Sequence, residues 1–129
     1  MSFNAGDAIN ELKVTPDKFL PVRYAGASGD FNPIHTDKEY ATMVGLPSTI
    51  LHGLWSMAQV ARAVTDNAGG PEKITSLSVQ FRGMGFPEQE ITVSGTVREV
   101  EGDVATLDVV AEQNGNAIIR NAVAKVDAT

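Results

Sequence analysis

The sequence predicts an α+β domain in which a curved antiparallel sheet wraps one long helix. Three observations predict it. Residues 73–127 alternate between apolar and polar in the manner of strands, with turn residues between the runs. Residues 52–70, HGLWSMAQVARAVTDNAGG, read as a single, mostly apolar helix. The chain has 129 residues, 43% of them hydrophobic, which suits one domain over residues 1–129 with a core of its own and excludes a disordered chain.

Ile9 to Val14 is a candidate first strand. A helix follows within residues 16–28. Thr15-Pro16 and Leu20-Pro21 each offer a proline at a first helical turn, and the later start is favoured because Pro21 would damage a helix running through from residue 16. The long helix, expected over residues 52–66, carries Leu54, Met57, Ala58, Ala61 and Val64 at helical spacing. Trp55, Val60 and Ala63 are apolar as well, which marks a helix wrapped on most sides, and Gly69-Gly70-Pro71 stops it. The first strand after it places Thr75, Leu77, Val79 and Phe81 on one face. The second, about Glu90 to Val100, places Ile91, Val93, Gly95 and Val97 together. Gly102-Asp103 gives a tight turn into Val104 to Glu112, where Ala105, Leu107, Val109 and Ala111 share a face. Asn114-Gly115, the favoured pair for a two-residue hairpin, leads into the last strand, Ala117 to Val126. Four consecutive strands are expected as a meander.

Charge and composition narrow the function. The net charge is −6 and the ten Lys and Arg residues are scattered, so there is no basic stripe for nucleic acid. No apolar run reaches the roughly 20 residues of a membrane span, and the N-terminal residues lack the pattern of a signal peptide. The absence of cysteine removes disulfides and a thiol nucleophile and suits a reducing compartment. A cytoplasmic protein is expected.

The chemistry concentrates in YAGASGDFNPIHTD, residues 24–37. Pro33 disfavours a helical Asn32, so an extended, firmly shaped loop is expected from Asp30 to His35. Such a loop can aim a carboxylate and an imidazole at one water and so form a general acid/base pair. The same residues also suit a plain loop, with Asp30 capping a short helix over residues 35–39 and His35 packed. A metal site drawing on Asp30, His35, Asp37 and His52 has no HxH or HxxxH spacing and no cysteine behind it, so no metal is expected.

Tyr24, Ser28-Gly29-Asp30, Asn32-Pro33-Ile34-His35 and Asp37 together resemble the hydratase-2 motif of MaoC-like (R)-specific enoyl-CoA hydratases and dehydratases. LHGLWSMA, residues 51–58, is similar to that family's His-Gly at the start of its central helix, and the resemblance extends over about residues 9–127. It implies a hot-dog fold and reversible syn addition of water to a trans-2-enoyl thioester of coenzyme A or acyl carrier protein, with no cofactor. It implies Asp30 and His35 as the catalytic pair, and Gly53 as donor of its backbone N–H to the thioester oxygen. Ser28, Asn32, Trp55 and Arg82 are the candidate substrate contacts, with Asn32 favoured as a loop-fixing residue that bonds its own backbone. The family implies a homodimer, or a higher even oligomer, with a continuous sheet. A catalytic subunit that pairs with a second, different hot-dog chain and a hot-dog thioesterase are the rival readings. Some members carry a hydroxyl residue further along the central helix. This chain reads Gln59-Val60-Ala61-Arg62 there, with Ser56 earlier.

Overall fold

A computed structural model describes residues 3–129. The elements are strand β1 (Leu12–Val14), helices α1 (Leu20–Ser28), α2 (Pro33–Thr36), α3 (Lys38–Met43) and α4 (Gly53–Ala68), and strands β2 (Ile74–Phe81), β3 (Ile91–Glu101), β4 (Val104–Gln113) and β5 (Asn116–Asp127). The strands form one antiparallel sheet in the order β1-β3-β4-β5-β2, and α4 lies against it, in the hot-dog arrangement that the resemblance implies.

Alternation places the core. Ile91, Val93 and Val97 on β3, Ala105, Leu107, Val109 and Ala111 on β4, and Ala122, Ala124 and Val126 on β5 are all buried. Their register brings them side by side: Val93 opposes Ala111, Val97 opposes Leu107, and Leu107 opposes Ala124. Val60, Ala63 and Val64 of α4 complete the cluster. Asn114 and Gly115 have φ of 53° and 77°, the left-handed pair that a two-residue β4–β5 hairpin requires.

Four expectations are corrected. The strands are not a simple meander, because β2 pairs with β5 at one edge while β3 pairs with β1 near the other. The segment 82–90 contains Gly83, Gly85 and Pro87 and no tight-turn pair. It crosses three strand spacings of about 4.8 Å each, which a segment of that length covers easily. The buried Gln113 holds this crossing in place: its Nε2 donates to Phe86 O (2.8 Å) and Gln89 O (3.0 Å), and its Oε1 accepts from Phe86 N (2.8 Å).

The first strand is shorter than Ile9 to Val14. Both the N–H and the C=O of Asn10 bond the buried Asn67 side chain instead of the sheet, and this interrupts the ladder before Leu12. On β2 a register shift between Ile74 and Ser76 turns Ile74 inward with Leu77, and Thr75 lies exposed. Finally, α4 is buried along one side, through Trp55, Ser56, Gln59, Val60, Ala63, Val64, Asn67 and Ala68, and Leu54 is 63% exposed. Apolar residues occur on both sides of this helix, so periodicity alone does not say which side faces the sheet. The later start of α1 is as expected, with Pro21 in its first turn and Gly29 (φ 80°) closing it. No helix among the described residues is long and apolar enough to cross a membrane.

Candidate active site

The stretch from Ser28 to Ile34 is shaped by alternate side chains. Ser28 Oγ accepts from Asp30 N (3.1 Å), Asp30 Oδ1 from Asn32 N (3.2 Å), and Asn32 Oδ1 from Ile34 N (3.1 Å). Each polar side chain thus fixes the backbone two residues on, which is the chemistry of Asx and ST turns. Asn32 is extended, with φ −54° and ψ 126°, as a residue before proline should be. Beyond it the expected extended loop gives way to one helical turn, because Asn32 caps α2 and Pro33 is preset for its first position. Asp30 is therefore not a cap. Asn32 has that part for α2, and Asp37 has it for α3 by accepting from Glu39 N and Tyr40 N.

The helical turn carries His35 into the interior, where it is 8% exposed. Its Nδ1 lies 2.7 Å from Ile50 O, and Ile50 N donates to Ile34 O (3.1 Å), so the segment before α4 is docked on the loop. A carbonyl only accepts, so His35 Nδ1 carries the hydrogen. Its Nε2 lies 3.8 Å from Asp30 Oδ2, and the Asp30 side chain is half exposed. Nothing in the sequence marked Ile50, because what it supplies is a backbone oxygen.

Gly53 opens α4. Its N–H is one of the first-turn donors that a helix cannot satisfy internally, and no acceptor among the described residues takes it. The helix dipole adds partial positive charge at this point. A Cβ at position 53 would lie 3.0 Å from Cδ1 of Phe81.

A cleft of about 290 Å³ is lined by Tyr24, Ser28, Asp30, His52, Gly53, Leu54 and Phe81. The structure therefore brings Ser28, Asp30 and Gly53 to one opening, with His35 behind Asp30 and Asn32 bracing the loop. It does not bring Trp55 or Arg82 there. Trp55 belongs to the core cluster, and the Arg82 guanidinium bonds Gln80 Oε1, which also accepts from Asn121. A larger cavity, about 580 Å³, lies on the sheet around Ser94, Thr96, Asp108 and Arg120, away from these groups. Of the four residues weighed for a metal, Asp30, His35 and His52 have donor atoms within 4.8 Å of one another. The two rings are stacked 21° from parallel, and each has one nitrogen bonded to a carbonyl. Lone pairs in stacked rings run side by side instead of converging at the roughly 2.0–2.1 Å that a metal demands. The geometry suits proton transfer better than coordination.

Known proteins resemble this chain in sequence and in fold. The family model described as "MaoC like domain" matches residues 5–121. Enoyl-CoA hydratase ChsH3 of Mycobacterium tuberculosis is 30% identical over 119 residues, which are 91% of this chain and 40% of that protein. The chain spans 40% or less of the length of the curated relatives it matches. Among solved structures, the ChsH1-ChsH2 complex from Mycobacterium tuberculosis contains a similar chain, with a TM-score of 0.86, 27% identity and coverage of 97% of this chain and 98% of that one. The (R)-hydratase from A. caviae has the same fold, with a TM-score of 0.88, 21% identity and coverage of 100% and 99%.

Proposed function

The chain belongs to the MaoC-like domain family, and on that premise we propose that it adds water reversibly to trans-2-enoyl thioesters to give (R)-3-hydroxyacyl thioesters. The observation that carries this is the Asp30 carboxylate, whose Oδ2 lies 3.8 Å from His35 Nε2 and which lines one opening with Gly53 and its unpaired N–H. A water about 2.8 Å from both atoms fits across that gap.

In the hydration direction the Asp30 carboxylate takes a proton from this water while His35 Nε2 holds its other hydrogen. The water oxygen bonds C3, the C2–C3 π bond opens, and its electrons move toward the thioester carbonyl. The charge that builds on that oxygen meets the Gly53 N–H and the start of α4 without reorganisation. The proton then passes from the Asp30–His35 pair to C2 on the same face, which completes a syn addition. Water is the only co-reactant, so no cofactor enters. Ser28 and Asn32 shape the loop, and Ser28 also lines the opening where an acyl carrier, coenzyme A or acyl carrier protein, would sit. The absence of cysteine suits a reducing compartment such as the cytoplasm.

The working unit in this proposal is a homodimer or a higher even oligomer. β2 is an edge strand with no charged residue or proline over Ile74–Phe81, so nothing in it discourages edge pairing. Leu54, Phe81 and Met84 are large, apolar and at least half exposed, and the first two line the cleft. A second, different hot-dog chain is the alternative partner, favoured by the two-protein complex that contains a similar chain.

The test is to incubate the purified chain with crotonyl-CoA, follow loss of the conjugated thioester absorbance and resolve the product by chirality. (R)-3-hydroxybutyryl-CoA is expected. Release of free thiol would identify a thioesterase, and hydration only after a second chain is added would identify the heteromeric subunit.

A further inference from the structure

His52 precedes α4 at its N-cap position, yet its side chain does not cap the helix. It is 3% exposed, and its Nε2 lies 3.0 Å from the backbone oxygen of Asp30. Because a carbonyl only accepts, Nε2 carries the hydrogen of this ring. At His35 the arrangement is reversed: Nδ1 carries the hydrogen for Ile50 O, and Nε2 faces Asp30 Oδ2 at 3.8 Å. The two rings stack with centroids 3.8 Å apart, and Tyr24 packs on His52 at 4.8 Å. His52 is also the chain neighbour of Gly53. One buried side chain thus ties together the Asp30 backbone, the His35 ring and the residue that offers the oxyanion donor.

We infer that His52 is a positioning residue: it holds Asp30 and His35 in register with Gly53, and the two histidines hold opposite tautomers. The kinetic consequence rests on the proposed hydratase activity, whereas the tautomer pattern rests on the hydrogen bonds alone. The chain has only two histidines, so nitrogen-15 spectra of the imidazoles contain two spin systems. The expected pattern is Nδ1–H for His35 and Nε2–H for His52.

His52→Gln replaces Nε2 with an amide nitrogen that can still donate to Asp30 O. His52→Phe keeps the ring but leaves that carbonyl unpaired. With crotonyl-CoA, His52→Phe should lower kcat about 10²-fold while KM stays within about threefold, the signature of misaligned groups. His52→Gln should stay within about tenfold of wild type, with circular dichroism unchanged for both. The inference is overturned if His52 is the Nδ1–H tautomer, if His52→Phe keeps wild-type kcat or changes only KM, or if glutamine rescues no better than phenylalanine. A wild-type chain that hydrates the probe neither alone nor with a second hot-dog chain would refute the hydratase activity, and the imidazole spectra would still decide the inference.

Discussion

Gly53→Ala tests the oxyanion donor with the smallest change available. The added Cβ would lie 3.0 and 3.1 Å from Cδ1 and Cε1 of Phe81. Ordinary carbon contacts are about 3.5–4.0 Å, so the ring must retreat by roughly half an ångström or more. Phe81 is half exposed at the end of an edge strand, so it can swing. The expected loss of stability is therefore under about 1 kcal/mol, less than the usual cost of overpacking a closed core. The effect on turnover should be much larger. Alanine keeps the N–H, but its methyl group sits beside the donor that in the proposed reaction meets the developing negative charge, and blocking it should cost up to the about 10² to 10³ in kcat of losing one such donor. Crotonyl-CoA hydration gives kcat and KM, and a thermal melt gives stability. Gly53→Ala combined with Phe81→Ala separates the causes: restored turnover would trace the loss to the displaced ring, and persistent loss to obstruction at the N–H. A single Gly53→Ala variant with wild-type kcat would refute the placement of the thioester oxygen.

Other consequences are testable in the same preparation. Asn32→Ala removes the acceptor for Ile34 N and should cost about 1 kcal/mol of stability in urea titration; by loosening the turn that carries His35 it should also lower kcat by about tenfold or more, and unchanged kcat would count against this bracing. Arg98 pulls the Asp108 carboxyl below its usual 3.8 by hydrogen bond and charge, so this pair stabilises the fold above that value and stops doing so as pH falls through the lowered one. Asp108→Asn should therefore flatten part of the acid slope of the urea midpoint below about pH 4, modestly because the pair is exposed, and an unchanged slope would contradict it. Sedimentation at micromolar concentration should give twice the chain mass or a higher even multiple, whereas a fully active monomer would contradict the proposed assembly.

Much of this molecule is legible in its residues, and the failures share a cause. β3 and β4 could be read to within a residue or two at each end, because Ile91, Val93 and Val97, and then Ala105, Leu107, Val109 and Ala111, take alternate inward positions, and Gly102-Asp103 and Asn114-Gly115 mark the turns. The pairing of β2 with β5 was hidden, since alternation says that a strand exists but not which edge it joins. Gln113 and Asn67 look like surface amides, and only the fold shows that each is spent on backbone groups of a distant segment. At the site, Asp30, Asn32 and His35 stand out through their resemblance to the family motif, and Pro33 correctly signals an extended Asn32. The one-turn helix after it was missed because four residues are too few for a periodic signal. Arg82 reads as a candidate substrate contact, yet its side chain goes to Gln80.

The joint action of Asp30 and His35 on one water is tested most directly by a double-mutant cycle on crotonyl-CoA hydration. Asp30→Asn keeps the shape and the Asx bond to Asn32 N but removes the base. His35→Gln keeps some hydrogen bonding but removes the imidazole nitrogen that faces Asp30. Each should lower kcat by about 10² to 10⁴, the scale of a lost general acid/base, with circular dichroism unchanged. The double variant should fall far less than the product of the single losses, because groups that serve one step are not additive. Near wild-type turnover in either folded single variant would remove that residue from the mechanism, and strictly multiplicative losses would show that the two do not act together.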